Sequence, residues 1–157
     1  MNQSYDFERI VRILAVNRNA IFREGLRSFI EAQPNLRLVG SLGDAGTALA
    51  LFAEFQPDLT LLDLNLPFGR ATELIREIRS VEPEAWIIGL VTYEWDECAA
   101  EALAAGAAAV VSKDLVAERL LSLVDAGPAQ PSQPVPQTRE RWRTYLRGLF
   151  AHSDLRA

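Results

Sequence analysis

A doubly wound α/β sandwich, with helices on both faces of a parallel sheet, is the fold this sequence predicts. Five short apolar runs alternate with five helix-length amphipathic segments over about 115 residues, a pattern that calls for parallel strands joined by right-handed crossovers. Most of the runs are rich in Val, Ile and Leu without strict polar alternation, as expected of strands covered on both faces. Pro34, Pro57 and Pro83 fall between segments, where a residue with no N–H to donate is tolerated.

The first run, Val11–Val16, leads into Ala20–Gln33, where Ile21, Phe22, Leu26, Phe29 and Ile30 give the spacing of a buried helical stripe. Leu36–Ser41 then leads to Ala45–Phe55, and Leu59–Asp63 to Arg70–Ser80. Trp86–Val91 precedes Glu94–Ala105, and Ala108–Ser112 precedes Leu115–Asp125. These units place one domain at residues 10–126 behind a polar N-terminal extension, residues 1–9. Residues 127–137 are proline-rich and uncharged and predict a semi-extended linker. Beyond it, residues 138–151 predict a tail helix, with Trp142, Tyr145, Leu146, Leu149 and Phe150 on one stripe and arginines opposite. Residues 152–157 are a frayed C-terminus. The apolar tail stripe predicts an interface, either folded back on the domain or in a homodimer.

Composition narrows the function classes. The net charge of −5 divides into −8 over residues 1–137 and +3 over residues 138–157, so the body of the domain repels nucleic acid. One cysteine, Cys98, supports neither a disulfide framework nor a cysteine zinc site. No apolar run approaches the roughly 18 residues of a membrane span, and the N-terminus lacks the pattern of a secretory signal. A cytoplasmic location is expected. The chain has no glycine-rich nucleotide loop of the G-x-x-x-x-G-K-[ST] or G-x-G-x-x-G kind. Its one histidine, His152, lies in the tail, which leaves Ser-His-Asp chemistry without a base. Enzyme function is not expected.

In open α/β sheets the binding crevice lies at the carboxyl ends of the strands. The residues there are Asn17 and Arg18 after the first run, Asp63 at the end of the third, Val91 and Thr92 at the fourth, and Lys113 after the fifth. Lys113 is the only lysine among sixteen basic residues, so that position stands out.

The pieces ILAVNRNAIFREGLRSFIEAQPNLRLVGS, PDLTLLDLNLP and AAGAAAVVSKD, with the spacing between them, resemble a two-component response-regulator receiver domain of the NarL/FixJ-like branch. The resemblance implies a sheet of order 2-1-3-4-5 and an aspartate that accepts phosphate from a histidine kinase. It sets Asp63 on the phosphoacceptor, with Pro67 four residues on, and Lys113 on the lysine that pairs with the phosphoryl oxygens. Gly106 falls on the turn before the fifth strand, and Asp114 after the lysine is a NarL-like feature.

The departures fall on the sensing positions. The family's two acidic residues after the first strand, which help hold Mg²⁺, are here Asn17 and Arg18. The switch hydroxyl position is Val91, with Thr92 one residue late, and the switch aromatic position is Val110. An ion pair between Arg18 and Asp63 is expected, because both sit on the same edge on adjacent strands. Mg²⁺ binding is expected to be weak or absent, and no other cofactor is implied. The reading that follows is an atypical, phosphorylation-independent receiver that acts as a protein-interaction module in signal transduction, as a homodimer, with a histidine kinase or another regulator as partner. The alternative is a conventional receiver phosphorylated on Asp63, the N-terminal part of a DNA-binding regulator.

Overall fold

The computed structural model describes residues 9–93 and 97–128. Five strands form one parallel sheet in the order β2-β1-β3-β4-β5. They are β1 (Val11–Val16), β2 (Leu36–Leu42), β3 (Leu59–Asp63), β4 (Ile87–Val91) and β5 (Ala109–Ser112). The helices between them are α1 (Ala20–Glu31), α2 (Ala48–Phe55), α3 (Arg70–Val81), α4 (Glu97–Ala105) and α5 (Val116–Ala126). Each strand boundary lies within one residue of the apolar run that predicts it. The start of α2 is later than expected. Asp44 takes the backbone N–H of Gly46 at 2.7 Å and holds residues 44–46 in a turn before the helix can begin.

Alternation along the strands divides the interior in two. Leu14, Val16, Leu62, Ile87 and Val91 point to one face and pack under Leu49 and Phe52 of α2, Leu74, Ile75 and Ile78 of α3, and Ala102 of α4. Ile13, Ala15, Leu59, Leu61, Ile88, Leu90 and Val111 point to the other, against Leu26 and Ile30 of α1 and Val116 and Leu120 of α5. β3 is buried at every position, which accounts for the lack of exposed polar alternation along it.

Two glycines shape the carboxyl edge. A Cβ on Gly89 would stand 2.7 Å from Leu64 Cδ1, so its absence lets the residue after Asp63 lie on β4. Gly106 turns the chain into β5 at φ +119°, and the Arg79 side chain fills the space a Cβ would need. Among the described residues no helix is long and apolar enough to cross a membrane. The linker beyond Pro128, the tail stripe (Trp142, Tyr145, Leu146, Leu149, Phe150) and His152 lie outside the described residues.

Candidate functional site

Asp63 ends β3 with only 4% of its surface exposed. A buried carboxylate needs partners to offset its lost hydration, and it has two. Lys113, the first residue after β5, reaches past the end of β4 and sets its Nζ 3.1 Å from Asp63 Oδ1. The backbone N–H of Asn65 donates to the same oxygen at 3.0 Å. Asp63 Oδ2 accepts no hydrogen bond among the described residues.

β1 supplies the next two positions. Val16 pairs with Leu62, so the following residues, Asn17 and Asp63, stand side by side. Asn17 is 1% exposed. Its Oδ1 accepts the backbone N–H of Asn19 at 2.8 Å, which leaves Nδ2 buried without a partner. Asn19 in turn caps α1, its Oδ1 accepting the N–H groups of Ile21 and Phe22 at 2.9 and 3.1 Å. Arg23 folds back from α1 and donates through Nη1 to the carbonyls of Asn17 and Arg18 at 2.6 and 3.2 Å.

This network fixes the chain between strand and helix and turns Arg18 outward, into an exposed position. The ion pair expected between Arg18 and Asp63 is therefore not formed. Among the described residues Lys113 alone pairs with Asp63, and Arg18 instead lines a cleft with the β2–α2 and β3–α3 loops. The carboxylate is held by one cation through one oxygen, not between two cations.

β4 shows why the hydroxyl reads as displaced. Ile88 and Leu90 share one face, and Thr92 continues their alternation, whereas Val91 points to the opposite face and is fully buried. The exposed Thr92 hydroxyl donates to Asn65 Oδ1 at 3.4 Å. Thr92 thus reaches the loop that carries Asp63, a contact the period-two pattern of β4 signals. Val110 is half-buried against the α2–α4 cluster, as is Cys98. Arg70, at the start of α3, bonds Glu73 at 2.8 Å and Glu77 at 3.1 Å. The Glu73 hydrogen bond is the foremost cause that raises the Arg70 pKa above its ordinary value.

A lysine–aspartate pair at the carboxyl edge of a 2-1-3-4-5 sheet is the arrangement the sequence resemblance implied. The family profile "Response regulator receiver domain" matches residues 13–125. The chain belongs to the response-regulator receiver family. The receiver is 34% identical over 106 residues to the DNA-binding transcriptional activator DevR/DosR of Mycobacterium tuberculosis, covering 68% of this chain and 49% of that protein. Among solved structures it is similar to a LuxR-family two-component response regulator from Aurantimonas sp. SI85-9A1, with 33% identity, TM-score 0.68, and 74% and 84% of the two chains covered. It is also similar to the response regulator domain of Thermotoga maritima CheB, with 25% identity, TM-score 0.70, and 78% and 100% covered. The chain spans about half the length of the curated relatives it matches.

The Mg²⁺ that the family implies meets a poor donor set in this receiver. Mg²⁺ favours near-octahedral oxygen ligands with one or two carboxylates. The oxygen of Asn17 is already given to a backbone N–H, and the Arg18 side chain has no oxygen. Among the described residues no three His, Cys, Asp or Glu side chains come together. Among the described residues Asp63 is the one carboxylate at the centre of the site.

Proposed function

We propose that this receiver is a cytoplasmic signalling module whose output is set by a protein partner, a second copy of itself included, and not by phosphate on Asp63. The observation that carries this reading is the state of Asn17. It is neutral, buried beside Asp63, and has its only oxygen bonded to its own loop. A receiver prepares its aspartate with a metal held by an acidic pair, and the pair is missing here. Val91, in the switch position, is fixed in the core and offers no hydroxyl to a phosphoryl group. A ligand shifts a conformational equilibrium only through contacts that differ between the two states.

One observation favours the conventional reading, in which Asp63 takes phosphate. Among the described residues Asp63 Oδ2 accepts no hydrogen bond, while Lys113 stands at the other oxygen. Incubation with acetyl phosphate and Mg²⁺, followed by intact mass, separates the two. The proposal expects an unmodified chain and an unchanged NMR spectrum. Stoichiometric modification that disappears in Asp63→Asn, with shifts spreading to α4, establishes the conventional reading instead.

A further inference from the structure

A cleft of about 360 Å³ lies between the β1–α1, β2–α2 and β3–α3 loops, outside the Asp63–Lys113 pair. Its volume is within the range of small-ligand sites, which are largely apolar with a few placed polar groups. Its apolar lining is Ala45, Leu66, Pro67 and Phe68; the charged groups are Arg18, Asp44 and Arg70.

Three features of the lining bear on an occupant. Arg18 forms no ion pair among the described residues although Asp44 lines the same cleft. The cleft therefore presents a cation and an anion not spent on each other. Arg70 differs, because Glu73 and Glu77 already hold its guanidinium. Asp44 gives Oδ1 to the Gly46 N–H, and Oδ2 accepts nothing among the described residues. The third feature is Phe68. It is fully exposed and has φ +60°, in the left-handed region that a bulky residue rarely adopts, next to Gly69 at φ +66°. A solvated aromatic ring on a strained backbone is unexplained by packing, and strain of this kind gathers at ligand clamps.

We infer that this cleft is a binding site for a small zwitterion with an apolar body, of the chemical class of an apolar α-amino acid. The carboxylate meets Arg18, where a two-pronged guanidinium contact suits its planar geometry. The ammonium meets the open oxygen of Asp44, and the apolar side chain lies on Leu66 and the ring of Phe68. The site does not use Asp63, so the inference is independent of whether phosphate is accepted there.

The test is a titration of the ¹⁵N-labelled chain with three probes of one body, L-phenylalanine, phenylacetate and phenethylamine, followed by amide shifts. The expected result is saturable shifts at Gly43, Gly46 and Phe68, with phenylalanine bound about tenfold or more tighter than either half-probe, the effect of one charge-assisted hydrogen bond. Arg18→Ala weakens phenylalanine by a similar factor and Arg18→Lys recovers part of the loss. Arg18 is exposed, so both variants retain the fold. Asp63→Asn leaves the titration unchanged, which separates this cleft from the phosphoacceptor site. No saturable shift with phenylalanine, equal binding of the half-probes, or indifference to Arg18→Ala each overturns the inference.

Discussion

Replacing Asn17 and Arg18 together by aspartate measures what the missing acidic pair does. In the register of β1 and β3, residue 17 stands beside Asp63, and adjacent strands lie roughly 4.8 Å apart. Two carboxylates about 5 Å apart at an effective dielectric constant of about 20 repel by roughly 3 kcal/mol. Some of this is offset, because Asn17→Asp removes a buried donor that has no partner, worth about 1 kcal/mol, and keeps an oxygen for the Asn19 N–H. Position 18 is exposed, and an aspartate there adds only about 0.5 kcal/mol. The double variant is therefore destabilised by about 2.5 kcal/mol in EDTA, roughly 1 M in the urea midpoint. A metal at a hundred times its dissociation constant restores about 2.7 kcal/mol, so millimolar Mg²⁺ returns the variant to wild-type stability or above it. The wild-type midpoint stays flat across the same range. Equal stability of the two proteins in EDTA, or a variant indifferent to Mg²⁺, refutes the argument, as does a saturable Mg²⁺ response of the wild type.

Thr60 is fully buried in β3 with a hydroxyl that has no partner. Thr60→Val keeps its shape and raises stability by about 1 kcal/mol, or roughly 4 °C in the thermal midpoint, read by calorimetry; a lower midpoint contradicts the orphaned hydroxyl. Gly89→Ala sets a methyl 2.7 Å from Leu64 Cδ1, which costs about 1–3 kcal/mol. Because Leu64 leads into the Asp63 loop, that variant also shifts the Asn65 amide in NMR spectra; an unmoved Asn65 shows that Leu64 yields without the loop. Truncation at Gly127 removes the stripe of Trp142, Tyr145, Leu146, Leu149 and Phe150. It lowers the thermal midpoint or changes the mass measured by light scattering; no change in either shows that the stripe covers nothing.

The strands were legible because each is a short, mainly apolar run set between helix-length amphipathic segments. β1 and β3 coincide with the runs that predict them. The Asp63–Lys113 pair was legible through the family resemblance, and Asp63 at the end of β3 and Lys113 just after β5 lie on the same sheet edge. The direction of Arg18 was not. It is set by two asparagines and an arginine that bond the backbone of one turn, and a charge count on loop residues carries no sign of that. The N-x-N spacing of Asn17 and Asn19 held the clue, because asparagines at such positions hydrogen-bond the chain two residues on. Thr92 stands one residue past the switch position, and the alternation along β4 sets its hydroxyl on the edge, where it meets Asn65. Phe68 gave no warning, since a left-handed backbone at an aromatic residue runs against its own preference.

The sheet acts as a partition. One set of side chains meets α2, α3 and α4, the other meets α1 and α5, and the strand backbones lie between. A change of volume on one side is taken up by neighbours on that side, because close-packed atoms respond to the groups they touch. A smaller residue at Leu74 can be rescued from Phe52 or Ile87 but not from Leu26 or Leu120. Substitutions across the partition are close to additive, as for sites that share no partners. The two halves of the interior are thus free to drift separately in sequence, and sequence covariation in this domain should sort into two groups with the β-strand parity as the boundary.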